Sequence, residues 1–234
     1  MGNNCGMDDE DVENPFRDQP TRKAFVAKVY LTLFVQLLVT AAIVAVFVYV
    51  DEVAFFVKEN YYLIWIALGL TIVLMVMLIC CESLRRTPPT NYICLLLFTM
   101  CESFLVGVTA SKYAPDEVLI SLGITGAVVL GLTLLALQKC IDFTPLYCIM
   151  IIITTVFALF TIIGIFFFYN RILHVVYAAI GVTLFSMWLV IDTQMIMGGR
   201  RLAINTDEYI YAALQLYIDI VMVFQYILTL FSEN

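Results

Sequence analysis

The feature that most limits the fold of this chain is a repetition of apolar runs, each about twenty residues long. A helix rises about 1.5 Å per residue, so one such run crosses a hydrocarbon core about 30 Å thick. The runs occur at about 31–50, 61–81, 91–111, 118–137, 145–168, 173–197 and 209–231. Alternating β-barrel patterning is absent, so backbone polar groups must be satisfied within helices. The sequence predicts an all-α polytopic integral membrane protein, a bundle of seven transmembrane helices.

Composition leaves little room for a water-soluble body. Hydrophobic residues make up 63% of the 234 residues and charged residues 13%, against about half and about a quarter in soluble domains. Much of the net charge of −7 comes from six acidic residues among the first eighteen. We therefore predict a disordered acidic tail at residues 1–20 and a transmembrane domain at 21–234. With one histidine and no CxxC pair beside a histidine cluster, a zinc site is not expected.

The basic residues predict the orientation of the chain. Nine of the twelve lie in the N-terminal tail or in the even-numbered loops, and only Lys58, Lys112 and Arg171 lie on the opposite side. The positive-inside rule then places the N-terminus in the cytosol. With seven full spans the C-terminus lies outside the cytosol, whereas a re-entrant last helix would reverse that.

Glycines and one capping pattern mark helix ends and contacts. Gly198 and Gly199 are predicted to stop the sixth span, and Asn205 with Glu208 has the spacing of a capping box for the seventh. Three glycines of the fourth span, although not in a clean GxxxG register, are candidates for close helix contact: Gly123, Gly126 and Gly131.

Three acidic residues fall inside predicted spans, where an unpaired charge costs several kcal/mol and marks a candidate site. Counted at 1.5 Å per residue from the cytosolic ends, Asp192 lies roughly 9 Å deep, Asp219 about 15 Å and Glu102 about 16 Å. Arg85 and Arg86 end the second span on the same side. These groups are close enough in depth to share one polar cluster.

Two carboxylates that meet in a low-dielectric interior cannot both ionise cheaply, so Asp192 and Asp219 are expected to titrate as a unit. A neighbouring arginine, Arg85 or Arg86, would favour ionisation and give the pair two arrangements, as in a pH-sensitive latch. The alternative is structural: each acid caps a backbone group or pairs with an arginine to hold helices together. For Glu102 the two interpretations are about equally supported.

Enzyme classes that work inside membranes fit poorly. An intramembrane aspartyl protease would need a Tyr-Asp and a Gly-x-Gly-Asp pattern, but the chain has Ile191-Asp192 and Tyr217-Ile218-Asp219. A rhomboid-like serine enzyme needs a histidine at depth, whereas His174 begins the sixth span at an interface. We therefore expect no enzymatic activity. No cofactor and no nucleic-acid partner are expected either.

Several stretches resemble the signature of the Bax-inhibitor/lifeguard family, the transmembrane Bax-inhibitor-motif proteins, in its lifeguard branch. Around the last two spans they are Ile191-Asp192-Thr193-Gln194, Gly198-Gly199, Asp207-Glu208-Tyr209, Ala212-Ala213-Leu214 and Leu216-Tyr217-Ile218-Asp219-Ile220. Earlier in the chain they are Arg22-Lys23-Ala24-Phe25, Lys28-Val29-Tyr30, Arg85-Arg86 and Asp142-Phe143-Thr144. The likeness covers about residues 21–234 in order.

The resemblance implies a central last helix, a cation leak pathway for Ca²⁺ out of internal stores, and a cytoprotective, anti-apoptotic role in endoplasmic reticulum or Golgi-type membranes. By position it also implies a pH-sensing aspartate pair at Asp192 and Asp219, with Arg85 or Arg86 beside it. Glu102 falls on a site that varies between branches. The pair would then be a gate first and a transient Ca²⁺ site second, because so few acids make no tight cage.

Two rival functions stay open at the level of sequence. The chain could be a non-conducting interaction protein that suppresses cell death by binding apoptosis-regulating membrane proteins, or a proton-coupled cation exchanger. A weaker signal is Asn14-Pro15-Phe16 in the acidic tail, a tripeptide that endocytic adaptors recognise and that also occurs by chance.

Overall fold

The computed structural model describes residues 19–138, 141–167, 171–198 and 202–231. Within these ranges the chain is helical and contains no β-strand. A one-turn 3-10 helix at Thr144–Leu146 precedes the seventh α-helix. The α-helices are α1 (Gln19–Tyr49), α2 (Asp51–Glu59), α3 (Tyr62–Cys80), α4 (Glu82–Arg86), α5 (Thr90–Ala110), α6 (Pro115–Leu137), α7 (Tyr147–Phe167), α8 (Arg171–Met197) and α9 (Tyr209–Phe231).

Seven of these helices are long and apolar enough to cross a membrane, which confirms the predicted class: α1, α3, α5, α6, α7, α8 and α9. The largest difference is at the start of α1, which begins at Gln19 rather than near residue 31. Hydropathy detects the apolar part of a helix, whereas the helix itself continues through the basic interfacial residues. The short helices α2 and α4 occupy stretches that the sequence analysis assigned to loops.

The last helix lies at the centre of the bundle. In its most apolar stretch, 56% of the residues of α9 are buried, against 6% for α7. Helix α9 packs against α1, α5, α6 and α8. These neighbouring helices separate most of α9 from the outer surface of the bundle. The central position implied by the family resemblance is therefore found in the structure.

The outer surface of the bundle is apolar, as a hydrocarbon environment requires. Large hydrophobic side chains stand exposed along the outer helices, among them Leu31, Phe34, Leu130, Leu134 and Ile152. In water such a surface would drive aggregation, whereas in a bilayer it contacts acyl chains. The interior polar groups are thereby set apart from the surface that faces lipid.

The prediction of close helix contacts at the glycines of the fourth span was wrong. Gly123, Gly126 and Gly131 have open space where a side chain would stand. Close approach occurs instead at Gly107 and Gly181, where an added Cβ would lie 2.7 Å from ring atoms of Phe47 and Tyr226, respectively. Sequence spacing could not locate these contacts, because the partners are aromatic residues of distant helices.

The end of α8 confirms one capping prediction, and the start of α9 corrects another. Gly198 has a φ of +67° and its N–H donates to the Gln194 carbonyl, so it ends α8 as predicted. Helix α9 begins at Tyr209, so Glu208 precedes the first turn and is not its third residue. The capping box of Asn205 and Glu208 is therefore wrong.

Some predicted features lie outside the described residues. They are the acidic tail over residues 1–18 with its Asn14-Pro15-Phe16 tripeptide, and the loop residues Lys139, Gly199, Arg200 and Arg201. Residues 19 and 20, which the sequence analysis assigned to the tail, are the first two residues of α1.

Candidate functional site

Asp192 and Asp219 meet where α8 packs against α9, the most extensive contact between any two helices of the bundle. Asp192 is 2% exposed and Asp219 is 5% exposed. Their carboxyl groups lie within hydrogen-bonding reach of each other. The structure thus brings together the two aspartates that the sequence singled out, while their role as a gate stays a prediction.

The energy of a contact between two buried carboxyl groups depends on whether they are protonated. Two ionised carboxylates in contact inside an apolar bundle repel each other and lose hydration, whereas one shared proton turns the contact into a hydrogen bond. In the described part of the chain, Oδ1 of Asp192 and Oδ2 of Asp219 find no hydrogen-bond donor. The pair therefore places two carboxyl groups against each other at the contact between α8 and α9.

A pair of tyrosines lies beside Asp192. The hydroxyls of Tyr147 and Tyr211 lie within hydrogen-bonding reach of each other, and both residues lie within electrostatic range of the Asp192 carboxyl. The Arg85 guanidinium lies 5.1 Å from the centre of the Tyr211 ring. No sequence pattern singled out these tyrosines, although Tyr211 precedes Asp219 by about two helical turns and so lies near its face of α9.

The predicted arginines contact a different carboxylate in this structure. Oε1 of Glu208 accepts from Nη2 of Arg85 at 2.7 Å and from Nη2 of Arg86 at 2.9 Å. The reason is depth: Glu208 directly precedes α9, whereas Asp219 lies eleven residues, or about 16 Å, further along the chain in that helix. Arg85 therefore approaches the aspartates only through the tyrosines, and its role as their counter-charge stays a prediction.

We call the group formed by Arg85, Arg86 and Glu208 the interfacial clasp. It ties the short helix α4 to the start of α9. The hydrogen bond that Arg86 donates to Glu208, with further support from the Glu82 carboxylate, raises the pKa of Arg86 above its ordinary value. Arg86 therefore stays charged throughout the physiological pH range.

Glu208→Gln is expected to lower the free energy of unfolding by about 1–3 kcal/mol, because it leaves the mostly buried Arg85 without its carboxylate. The side chains of Glu208 and Arg85 are only 11% and 16% exposed. Thermal unfolding in detergent would measure the loss. The matched control is Glu82→Gln, whose 59% exposed side chain pairs with Arg86 one turn away and should contribute little. Equal effects of the two variants would contradict the importance of the clasp.

Glu102 lies apart from both groups. It is half-buried on α5, within electrostatic range of the Tyr217 hydroxyl. That hydroxyl contacts Thr40 at 2.8 Å and Ser103 at 3.5 Å. The depth count suggested a single polar cluster. The structure instead has three separate groups around α9: the aspartate pair, the interfacial clasp, and Glu102 with the residues near it.

Arg22 is a buried residue that the sequence analysis treated only as a topology signal. Its Nη2 donates to the carbonyl of Met195 at 3.0 Å and also to that of Ile196. These carbonyls belong to the last turn of α8, where the helix dipole favours a cation. An added Cβ at Gly198 would lie 1.8 Å from Cζ of Arg22. Arg22 therefore fixes the end of α8 one turn beyond Asp192.

Gln194 ties the same turn of α8 to the start of the fifth span. It is fully buried. Its Nε2 donates to the carbonyl of Ile141 at 3.0 Å, and its Oε1 accepts from the N–H of Phe143 at 2.8 Å. The signature residues around Asp192 thus hold α8 in place by backbone contacts on two sides.

No permanent metal site is formed by these residues. Among the described residues, no group of three or more histidine, cysteine, aspartate or glutamate side chains could hold an ion. Ca²⁺ usually takes six to eight oxygen ligands, and the aspartate pair supplies far fewer. The aspartate pair by itself therefore supplies too few ligands to bind Ca²⁺ tightly.

These features define a class, a seven-helix integral membrane protein with a buried carboxyl pair between its last two helices. Residues 22–234 match the model of a family described as "Inhibitor of apoptosis-promoting Bax1". Human Protein lifeguard 3 is 36% identical over 220 residues, which cover 93% of this chain and 71% of that protein. The mouse Protein lifeguard 3 is 37% identical with the same coverage. Protein LIFEGUARD 3 of Arabidopsis thaliana is 32% identical over 222 residues, which cover 93% of this chain and 86% of that protein.

The chain therefore belongs to the Bax-inhibitor/lifeguard family of anti-apoptotic membrane proteins. The family assignment agrees with the resemblance in the last two spans, where Asp192 and Asp219 lie.

Proposed function

We propose that this protein is a passive, pH-sensitive Ca²⁺ leak pathway of an intracellular membrane of endoplasmic reticulum or Golgi type. The observation that carries the proposal is the buried contact between Asp192 and Asp219 at the interface of α8 and α9. The protein has no enzymatic role in this proposal. Its N-terminus faces the cytosol, as the distribution of basic residues indicates.

The aspartate contact has the properties of a gate. It joins the most buried helix of the bundle to its most extensive partner, so any change in the contact alters the packing of both. A shared proton holds the two carboxyls together, and its loss sets two like charges against each other. Protonation thereby biases α8 and α9 between two arrangements, as a two-state switch requires.

The small number of acidic groups at the site also favours a leak over a tight Ca²⁺-binding site. A pathway that passes Ca²⁺ down its gradient needs weak binding at few sites, so that an ion leaves as readily as it enters. The two aspartates offer hard oxygen ligands without the six to eight that hold Ca²⁺ tightly. A permanently open leak would drain a store, so the pathway needs a gate. In this proposal the same two carboxyl groups form that gate.

The anti-apoptotic role of the family follows from such a leak. A store that loses Ca²⁺ slowly at rest has less to release under stress, and the cell is then exposed to a smaller Ca²⁺ signal. Binding to apoptosis-regulating membrane proteins is a further means of protection and does not require conduction.

The test is Ca²⁺ flux into liposomes that contain the purified full-length chain, measured between about pH 5 and about pH 8. We expect flux above that of empty liposomes, without saturation and without a required counter-ion. One proton coupled to a two-state gate changes its equilibrium by at most about tenfold per pH unit, so we expect a change of about three- to tenfold per unit near the midpoint.

Two results would contradict the leak. Flux that requires an opposing proton or cation gradient would indicate a coupled exchanger. Folded protein that passes no more Ca²⁺ than empty liposomes would indicate the non-conducting interaction protein.

A further inference from the structure

A groove about 410 Å³ in volume runs between α1 and α5 on the outer side of the bundle. Its lining along α1 runs from Lys28, beside Tyr92, to Val39, and includes Gln36, whose Nε2 donates to the Thr99 hydroxyl at 3.0 Å. From Lys28 to Val39 is eleven residues, or about 16 Å along α1. The groove thus descends from the Lys28 end of α1 toward the middle of the bundle.

Between its two ends the wall of the groove is mainly apolar, formed by side chains such as Leu31, Val35 and Leu96. These three side chains are at least half exposed. The groove therefore opens sideways to the hydrocarbon core, where only an acyl chain or another apolar body is available to fill it.

The mouth of the groove presents two hydrogen-bond donors. Nζ of Lys28 lies 5.6 Å from the centre of the Tyr209 ring. The hydroxyl of Tyr209 accepts from Nδ2 of Asn91 at 3.4 Å and donates to the hydroxyl of Tyr92 at 2.9 Å. Because Tyr92 accepts that bond, its own proton is left to donate outward beside the Lys28 ammonium. A cation and a hydroxyl donor together suit a phosphate oxygen.

We propose that this groove binds an anionic phospholipid, with its phosphate at Lys28 and Tyr92 and the upper part of one acyl chain between α1 and α5. Charge complementarity selects the occupant, because the mouth supplies a positive charge and a proton donor at the depth of the headgroups. A free phosphate would leave the apolar slot beneath it unfilled. The site is separate from the aspartate pair and does not depend on Ca²⁺ conduction.

The test compares binding of dioleoyl phosphatidylglycerol and dioleoyl phosphatidylcholine to the full-length protein in detergent, with native mass spectrometry to count bound lipid. We expect the anionic lipid to be retained preferentially. A basic residue near the membrane surface contributes roughly a fivefold gain in affinity for anionic lipid, so Lys28→Gln should lower retention of phosphatidylglycerol about fivefold. Tyr92→Phe should lower it as well, although it changes no charge.

Two further variants separate a site from general attraction. Lys23→Gln removes the same charge from an exposed position on α1 that does not line the groove, and it should retain phosphatidylglycerol like the parent protein. Leu96→Trp fills the slot from an exposed wall and should lower the retention of both lipids. Equal losses for Lys23→Gln and Lys28→Gln, no preference for phosphatidylglycerol, or unchanged binding to Leu96→Trp would each overturn the proposal.

Discussion

The double variant Asp192→Asn and Asp219→Asn is expected to pass Ca²⁺ at a rate that changes by less than about twofold between about pH 5 and about pH 8. An asparagine resembles a protonated aspartate in size and polarity but cannot ionise, so the contact between α8 and α9 no longer depends on pH. Without a coupled proton, the gate equilibrium has no pH slope. The liposome assay that measures the parent protein measures this variant directly.

The single variants should behave differently from the double variant. With Asp219→Asn, the amide can donate to the remaining Asp192 carboxylate at every pH, which removes the repulsion between like charges. The remaining carboxyl still binds a proton of its own, so a weaker pH dependence persists. Non-additivity of the two single changes is the expected result for groups that titrate as one unit.

Two control substitutions test whether the pH dependence belongs to the aspartate pair and not to another acidic residue. Asp116→Asn changes an exposed aspartate in the first turn of α6 and should leave the pH profile unchanged. Glu102→Gln tests the third acid within the spans, which lies near Tyr217 and apart from the pair. If Glu102→Gln removed the pH dependence and the double aspartate variant kept it, the gate would have been assigned to the wrong carboxyl group.

Gly198→Ala is expected to lower the free energy of unfolding by about 2–4 kcal/mol, the largest stability loss that we expect for a single methyl group in this chain. Two costs combine. The φ of +67° is unfavourable for any residue with a Cβ, at roughly 1–2 kcal/mol. The methyl group would also displace the Arg22 guanidinium from the end of α8, where hydrogen bonds from a charged donor contribute about 1.5–3 kcal/mol.

Arg22 and a helical glycine provide the comparison variants. Arg22→Met should show the loss of the cap without the backbone strain, and therefore a smaller destabilisation than Gly198→Ala. Gly123→Ala adds a methyl group in open space within α6 and should stabilise slightly, as alanine does in a helix. Denaturation in detergent would rank the three variants. A Gly198→Ala protein as stable as Gly123→Ala would refute the account of this helix end.

The sequence alone was sufficient for the seven spans and for the stop at Gly198. Spans are specified locally, because length and hydropathy of one continuous segment decide whether it can cross a bilayer. A glycine stop is local as well, because it depends on the backbone freedom of one residue. The fold class and the last span at 209–231 therefore agree with the structure.

Only part of the site could be predicted from the sequence. Asp192 and Asp219 stand out because an acid in an apolar run is conspicuous without any partner. Glu208, Arg22 and the tyrosines Tyr147 and Tyr211 do not stand out, because such residues are ordinary near span ends. Their importance depends on what each contacts.

Tertiary structure alone decided which charged groups meet. Arg85 lies on Glu208 and not on an aspartate because α4 and the start of α9 lie at the same depth. Arg22 reaches the carbonyls of α8 across more than 170 residues of chain. Hydropathy acts on each segment separately, whereas these contacts depend on how the helices rotate and pack around α9. The sequence thus determined which residues are costly in a membrane, and the packing determined how each of them is satisfied.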